Sequence, residues 1–427
     1  MQNNFRIIGC FLLLINYSIL LPSIFGQSPI TTYGKEITTR LCSPSMEGRG
    51  YVNEGCSKAA QFILNEFNRL GLEPLNGYST QPFYLDVNTF PRKCKVKFGL
   101  NKKSPGIDYL IHPSSAGYKG RLSIIPLTAA EVLKYTFGRE GQQGKAVAFI
   151  PRAGMSNDTI KMVRTKLEKL ARTEIAVVEF TREKLTWSVS NEQFKYPYIQ
   201  YFDTVLSRIP THIKLSVEAN FKHDYSVENI FGYVKSKTPS DSFIIVCAHY
   251  DHLGRMGKRT YFPGANDNAS GVAMMLGIAK SIKQQALANH NVLFIGFAGE
   301  EIGLQGSQFF VNQHILGASQ ISLVLNLDIM GSGEEGITVV NGSIHPGIFQ
   351  RLVKINESTQ SINKIKARGK AANSDHYPFS QAGIPAIFIY SMGPNKNYHD
   401  VHDKSEALSF ARFDELQYLI LRLLQTF

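Results

Sequence analysis

Apolar residues along the chain fall into two spacings. In residues 55–70 (GCSKAAQFILNEFNRL), Ala59, Phe62, Ile63, Phe67 and Leu70 recur every three or four positions, which predicts an amphipathic helix, and Gly71 follows as its stop. Val272, Met275, Leu276, Ala279 and Ile282 mark a second helix face, and further helices are expected over Asp158–Arg172 and Asp414–Leu424. By contrast, Phe243–Ala248, Val292–Ala298, Ile321–Leu327 and Ile384–Tyr390 are short continuous apolar runs, the pattern of strands covered on both faces. Strands alternating with helices predict a mostly parallel sheet between helix layers. The texture differs in residues 96–225. Short β-rich runs at Leu122–Pro126, Lys145–Pro151, Glu174–Thr181 and Lys214–Ala219 predict a separate β-rich unit inserted there, leaving 27–95 and 226–427 for the α/β domain. Trp187 and the Tyr196–Tyr201 stretch lie in that unit, where core packing accounts for them.

Residues 1–26 read as a signal peptide. Arg6 precedes an apolar run, Ile7–Ile15 and Ile19–Leu21, that Pro22 breaks, and Gly26 is a small residue for cleavage. Asn16, Tyr17 and Ser18 interrupt the run too early for a membrane span, so export to the periplasm or the exterior is expected without stable membrane insertion. Four cysteines remain beyond it, too few for a disulfide scaffold; Cys42 and Cys56 can bridge locally, and Cys247, inside an apolar run, is expected as a buried thiol with Cys94 unassigned. With 43% hydrophobic and 19% charged residues in 427, the chain can bury a large core and is not a disordered one. The net charge of +12 is spread thinly with no Lys/Arg block, so no nucleic-acid partner is expected.

The residues just beyond each apolar run carry the chemistry. His249 and Asp251 come after the first, Glu300 and Glu301 after the second, and Asp328 after the third, while His399 lies in the loop beyond the last. Between the first two runs, Gly264–Gly271 is a small-residue turn presenting Asp267. In open α/β sheets the carboxyl ends of strands line the ligand crevice, so these side chains converge on one edge. Imidazole and carboxylate without thiolate suit a catalytic zinc site. His249, Asp267, Glu301, Asp328 and His399 are too many for one catalytic zinc and fit two ions if one carboxylate bridges them. One of the adjacent glutamates can ligate while the other serves as general base, since neighbours in extended chain point apart. Asp251 can accept the His249 imidazole N–H.

These residues resemble a known family. Ala248-His-Tyr-Asp-His-Leu-Gly254, Gly264–Gly271, Phe297-Ala-Gly-Glu-Glu-Ile-Gly303, Asn326-Leu-Asp328 and Tyr398-His399 are similar to motifs of the co-catalytic zinc aminopeptidases, a family that includes glutamate carboxypeptidase-like enzymes and glutaminyl cyclases. Met46-Glu-Gly-Arg49 and Leu70-Gly-Leu-Glu-Pro74 are similar to the start of bacterial members. The resemblance implies a three-layer α/β/α phosphorylase/hydrolase-like domain around a mixed sheet, with a protease-associated-like insertion. It implies two Zn²⁺, with Asp267 bridging, His249 and Asp328 on one ion, and Glu301 and His399 on the other. Glu300 would be the general base, Asp251 the orienter of His249, and Asp267–Asn268 a cis peptide. Two departures stand out: Asn266 occupies a position where many relatives carry Asp, and Tyr398-His-Asp-Val-His-Asp403 lacks the usual Pro and Thr, which makes His402 a rival to His399. Asp375, in Ser374-Asp-His-Tyr-Pro-Phe379, either supports the site or closes a structural turn, and His252 and His376 are expected to make local hydrogen bonds.

The expected activity is hydrolysis of N-terminal peptide bonds on a peptide or protein substrate. Carboxypeptidase or dipeptidase action uses the same core. A glutaminyl cyclase, which uses one zinc, and a receptor-like module without catalysis are weaker alternatives for a chain that keeps Glu300 and every ligand.

Overall fold

The computed structural model describes residues 28–98, 101–136, 143–152, 154–203 and 209–427; the signal peptide expected over residues 1–26 lies outside them. The apolar runs become strands because every residue of them is covered. Phe243–His249 and Asn291–Phe297 are buried along their whole length. In the first, Ile244, Val246 and Ala248 face one apolar layer, and Phe243, Ile245 and Cys247 face the other. Alternation in a strand sends successive side chains to opposite faces, so a run apolar at every position needs a helix layer on each side. The first layer is built by helices Pro29–Leu41, Gly55–Leu70, Ser270–Gln284 and Phe413–Leu424, the second around Gln305–Asn312 and His376–Gln381. The result is the three-layer α/β/α sandwich.

Eight strands make its sheet, in the spatial order Thr80–Thr89, Asn220–Val234, Asn291–Phe297, Phe243–His249, Ile321–Leu327, Ala386–Met392, Gly336–Val340, Ile365–Ala367. The four in the middle, 291–297, 243–249, 321–327 and 386–392, run parallel and deliver their carboxyl ends to one edge. Antiparallel pairings flank them, so the sheet is mixed. Helix Gly55–Leu70 ends where its spacing predicts. Gly71 takes φ +70°, and the N–H groups of Gly71 and Leu72 close on the carbonyls of Asn68 and Phe67.

A second eight-stranded sheet is formed by the chain between Cys94 and Val217. One part of one face is covered by helices Ala129–Lys134 and Asn157–Thr173. Its opposite face packs on Leu253, Met256 and Phe262 of the α/β domain. The long strand Asn220–Val234 belongs to the main sheet, so the chain returns to that sheet a few residues earlier than the change of texture at 225 suggests. The cysteines also differ from expectation. Cys42, Cys56, Cys94 and Cys247 are all buried free thiols, and no Cys42–Cys56 bridge forms. The two thiols face different neighbours, Cys42 toward Arg49 and Asp403, Cys56 toward Tyr250 and Asp251.

Candidate metal centre and active site

The candidate ligands and the candidate base lie at or beyond the carboxyl edge of the parallel strands. His249 ends its strand, Glu300 and Glu301 sit in the turn after Asn291–Phe297, and Asp328 comes directly after Leu327. The two glutamates are not in extended chain. Their turn closes with the N–H groups of Gly303 and Leu304 on the Glu300 carbonyl, and it is this turn that sends the carboxylates apart. Glu300 Oε2 lies 3.9 Å from His249 Nε2, while Glu301 Oε2 lies 3.1 Å from His399 Nε2.

Asp267 stands between two clusters. Its Oδ1 is 3.3 Å from His249 Nε2, which is 3.5 Å from Asp328 Oδ1; its Oδ2 is 3.0 Å from His399 Nε2. For ligand bonds of about 2.0 Å, the edge of a coordination tetrahedron is about 3.3 Å, so these donor spacings suit metal ligation. Two further observations fit a cation. Asp328 Oδ1 is buried without a hydrogen-bond partner. The His399 Nδ1–H donates to the carbonyl of Trp187 at 2.8 Å, which turns the Nε2 lone pair of a neutral ring toward two carboxylates. Left without a metal, that ring takes a second proton, and Glu301 and Asp267 outweigh burial to push its pKa up to about 11. His402, the rival, is exposed, and its backbone N–H donates to Asp400.

Electrostatics separates the carboxylates. Burial pushes Asp267 upward, but the imidazoles of His249 and His399 hold it well below the usual range. Glu301 is likewise drawn down, to about 2, by His399 and His252 against its burial. Glu300 goes the other way: burial, reinforced by the charges of Glu301, Asp375 and Asp328, holds its carboxyl well above the ordinary value. Burial raises Asp328 as well, and Asp375 to about 7, so Glu300 shares with these neighbours the tendency to hold a proton.

The supports around these groups come mostly from residues the sequence had singled out, though not always in the expected way, and from Tyr51, which it had not. Asp251 was expected to take the His249 N–H through its carboxylate. Instead His249 Nδ1 lies 3.3 Å from the backbone carbonyl of Asp251 and 3.8 Å from its Oδ1. The carboxylate is turned to the glutamate turn, accepting the N–H groups of Glu300 at 3.1 Å and Glu301 at 3.3 Å, and the Tyr51 hydroxyl at 2.9 Å. His252 Nδ1 is 2.6 Å from Glu301 Oε1. Ser374 donates to Asp328 Oδ2 at 3.0 Å and accepts from Asn326 at 2.7 Å. Asp375 and His376 are buried close behind, and among the described residues their side-chain oxygens and nitrogens have no hydrogen-bond partner.

The Asp267 loop is held from below. The Asp403 carboxylate accepts the N–H groups of Asn266 and Asp267 at 2.9–3.1 Å. The wholly buried Arg49 guanidinium donates to the carbonyls of Leu41, Tyr250, Pro263 and Gly264. The Asp267–Asn268 peptide is cis. Asn268 then spans Leu327, Gly271 and Ile329 through its amide. Gly271 has no room for a side chain, since a Cβ there would lie 2.2 Å from Asn268 Oδ1. Met46–Arg49 could have pointed to this role, because a buried arginine in a short turn must find carbonyls. The second sheet contributes too. Besides the His399–Trp187 bond, the Trp187 N–H donates to the His399 carbonyl at 2.9 Å, and Lys184 Nζ reaches Asp400 Oδ2 at 2.5 Å. Both bonds to His399 use the Trp187 backbone; its side chain packs in the core against Phe90 and Phe262, as expected.

Residues 229–424 match the model of Peptidase family M28. A probable leucine aminopeptidase from Trichophyton verrucosum is 28% identical over 208 residues, covering 47% of this chain and 57% of the relative. Leucine aminopeptidase 1 from Metarhizium robertsii is 22% identical over 299 residues, covering 65% and 74%. The chain thus spans between about half and three quarters of the length of these curated relatives. Among solved structures, BSAP, a zinc aminopeptidase from Bacillus subtilis, superposes with a TM-score of 0.68 at 18% identity, covering 92% of this chain and 94% of its own. A Peptidase M28 precursor from Shewanella amazonensis gives 0.69 at 14% identity, covering 92% of each. The shared fold runs through both sheets, and the sequence match runs through the strands that carry the site. Residues 229–424, the part of the chain that carries the site, are thus similar to peptidase family M28.

Proposed function

We propose that the chain is a two-zinc exopeptidase that removes residues from the N-termini of peptides. The observation that carries this reading is the opposed pair of Asp267 oxygens, each facing an imidazole that has a second carboxylate beside it. Asp267 would bridge, His249 and Asp328 would hold one ion, and Glu301 and His399 the other. Zinc ions in these positions supply Lewis-acid polarisation of a scissile carbonyl and of a water.

The chain's own residues do the rest. Glu300, outside the proposed ligand set and with its carboxyl held above the ordinary value by burial and the charges of Glu301, Asp375 and Asp328, takes the proton of the attacking water and delivers it to the leaving amine. Asp251 fixes the turn that aims Glu300, and the Nδ1–H bonds of His249 and His399 to backbone carbonyls leave Nε2 of each ring free as a donor. Ser374 occupies one oxygen of Asp328 and so leaves the other for the ion. The apolar-run pattern of residues 1–26 supports export, and the stretch 96–225 reads as an inserted unit that steadies His399.

The test is product analysis by mass spectrometry after incubating the zinc-loaded protein with peptides blocked at one end or the other. Loss of residues from free N-termini alone is expected. Trimming from C-termini would overturn the aminopeptidase reading in favour of carboxypeptidase action, and loss of ammonia from N-terminal Gln would point to a cyclase.

A further inference from the structure

Among the described residues, nothing covers one half of the outer face of the second sheet. Helices Ala129–Lys134 and Asn157–Thr173 pack over strands Lys145–Phe149, Ala176–Thr181 and Tyr198–Phe202 through Val132, Val163, Leu167 and Leu170. Strands Cys94–Phe98, His212–Val217 and Tyr118–Leu127 lie beside that helix layer in the same sheet. On them Val96, Leu122, Ile213 and Leu215 turn inward to the core. Alternation then sends Lys95, Lys97, Lys119, Arg121 and Lys214 outward, and Lys145 at the edge of the next strand joins them. All six are exposed.

The register gathers them. Lys97 lies directly opposite Lys214, and Lys214 opposite Arg121, while Lys95 and Lys119 both flank Ser216. Strands spaced about 4.8 Å apart, with same-face residues about 6.8 Å apart along each, make this a dense grid of positive charge. The four strands contain no Asp or Glu, and none of the six cations forms an ion pair with a described residue. Like charges directly opposite one another weaken a sheet, so the arrangement works against the fold it sits on. A face needed only for solubility would mix signs.

We propose that this face docks a linear acidic polysaccharide bearing sulfate or carboxylate groups. Charge complementarity requires a polyanion, and three features narrow it. Five of the six cations are lysines, point charges suited to diffuse anions, whereas close phosphate readout favours arginine forks. The exposed outward positions carry no Phe, Tyr or Trp on which unpaired bases could stack. The helix layer beside the grid stands about one helix diameter, roughly 10 Å, above it, a step that a single polymer chain can lie against but a flat bilayer cannot follow.

The experiment titrates the full-length protein with heparin, a 20-base-pair DNA duplex, poly-glutamate and phosphatidylglycerol vesicles across a salt series. Lys97→Glu/Arg121→Glu/Lys214→Glu is compared with Lys161→Glu/Lys169→Glu/Lys354→Glu, which changes the net charge equally at exposed helix positions. The grid variant is expected to bind heparin about tenfold or more weakly, with the slope of log K against log salt reduced by roughly 2–3, as loss of that many counterion-releasing contacts requires. The helix variant should stay within about twofold of the parent. Lys97→Gln/Lys214→Gln, which removes like-charge repulsion without reversing it, should show the same direction. Equal weakening by both triple variants would overturn the proposal, as would tighter parent binding to DNA, poly-glutamate or vesicles than to heparin.

Discussion

Replacing Tyr51 by phenylalanine removes a single hydroxyl from beneath the site. That hydroxyl donates at 2.9 Å to the buried Asp251 carboxylate, whose remaining donors are the backbone N–H groups of Glu300 and Glu301 at 3.1 and 3.3 Å. The ring keeps its packing, including the edge-on contact with Tyr225, so the perturbation is close to one hydrogen bond. A bond to a charged group in a buried setting contributes about 1.5–3 kcal/mol. If all of it were felt in aiming Glu300, kcat would fall about 10- to 150-fold, at about 1.4 kcal/mol per factor of ten. The two backbone donors still hold Asp251, so the lower half of that range is expected. Zinc content should not change, because Tyr51 touches no residue proposed to ligate. The assay is steady-state hydrolysis of an aminoacyl anilide alongside metal analysis. A Tyr51→Phe enzyme with unaltered kcat would refute the idea that Asp251 acts by fixing the glutamate turn. Loss of zinc in place of kcat would place its effect on the ligands.

Four other outcomes are expected from the geometry. Glu300→Gln should lower kcat by about 10²–10⁴ while zinc binding, measured by equilibrium dialysis, persists. His399→Ala should retain one fewer zinc per chain by metal analysis, whereas His402→Ala, changing an exposed side chain, should match the parent. Lys184→Met leaves the buried Asp400 without its cation, and zinc should dissociate faster in a chelator-competition assay, with rescue by Lys184→Arg. Arg49→Met strips the donor from four buried carbonyls; at about 1–3 kcal/mol for each group left unsatisfied, little soluble protein should be recovered on expression.

Much of this molecule could be read from one dimension. Strands apolar at every position can only be central, and in a parallel sheet central strands put the residues beyond them on one edge; hence His249, Glu300, Glu301, Asp328 and the fold itself were legible in the chain. Helix Gly55–Leu70 and its stop at Gly71 were legible for the same local reason. What tertiary structure decided involves partners far apart in sequence. His399, and not the exposed His402, comes within 3.0–3.1 Å of Asp267 and Glu301, its Nδ1–H held by the backbone carbonyl of Trp187, 212 residues away. Asp251 turned from the imidazole to the glutamate turn because backbone N–H groups and Tyr51 converge on its carboxylate. The basic grid was invisible as a Lys/Arg block, since alternation separates its members along each strand and strand pairing alone brings Lys97, Lys214 and Arg121 side by side. Period and polarity are local quantities that a sequence states outright. Which donor meets which acceptor, and which charges share a face, depends on how distant segments pack.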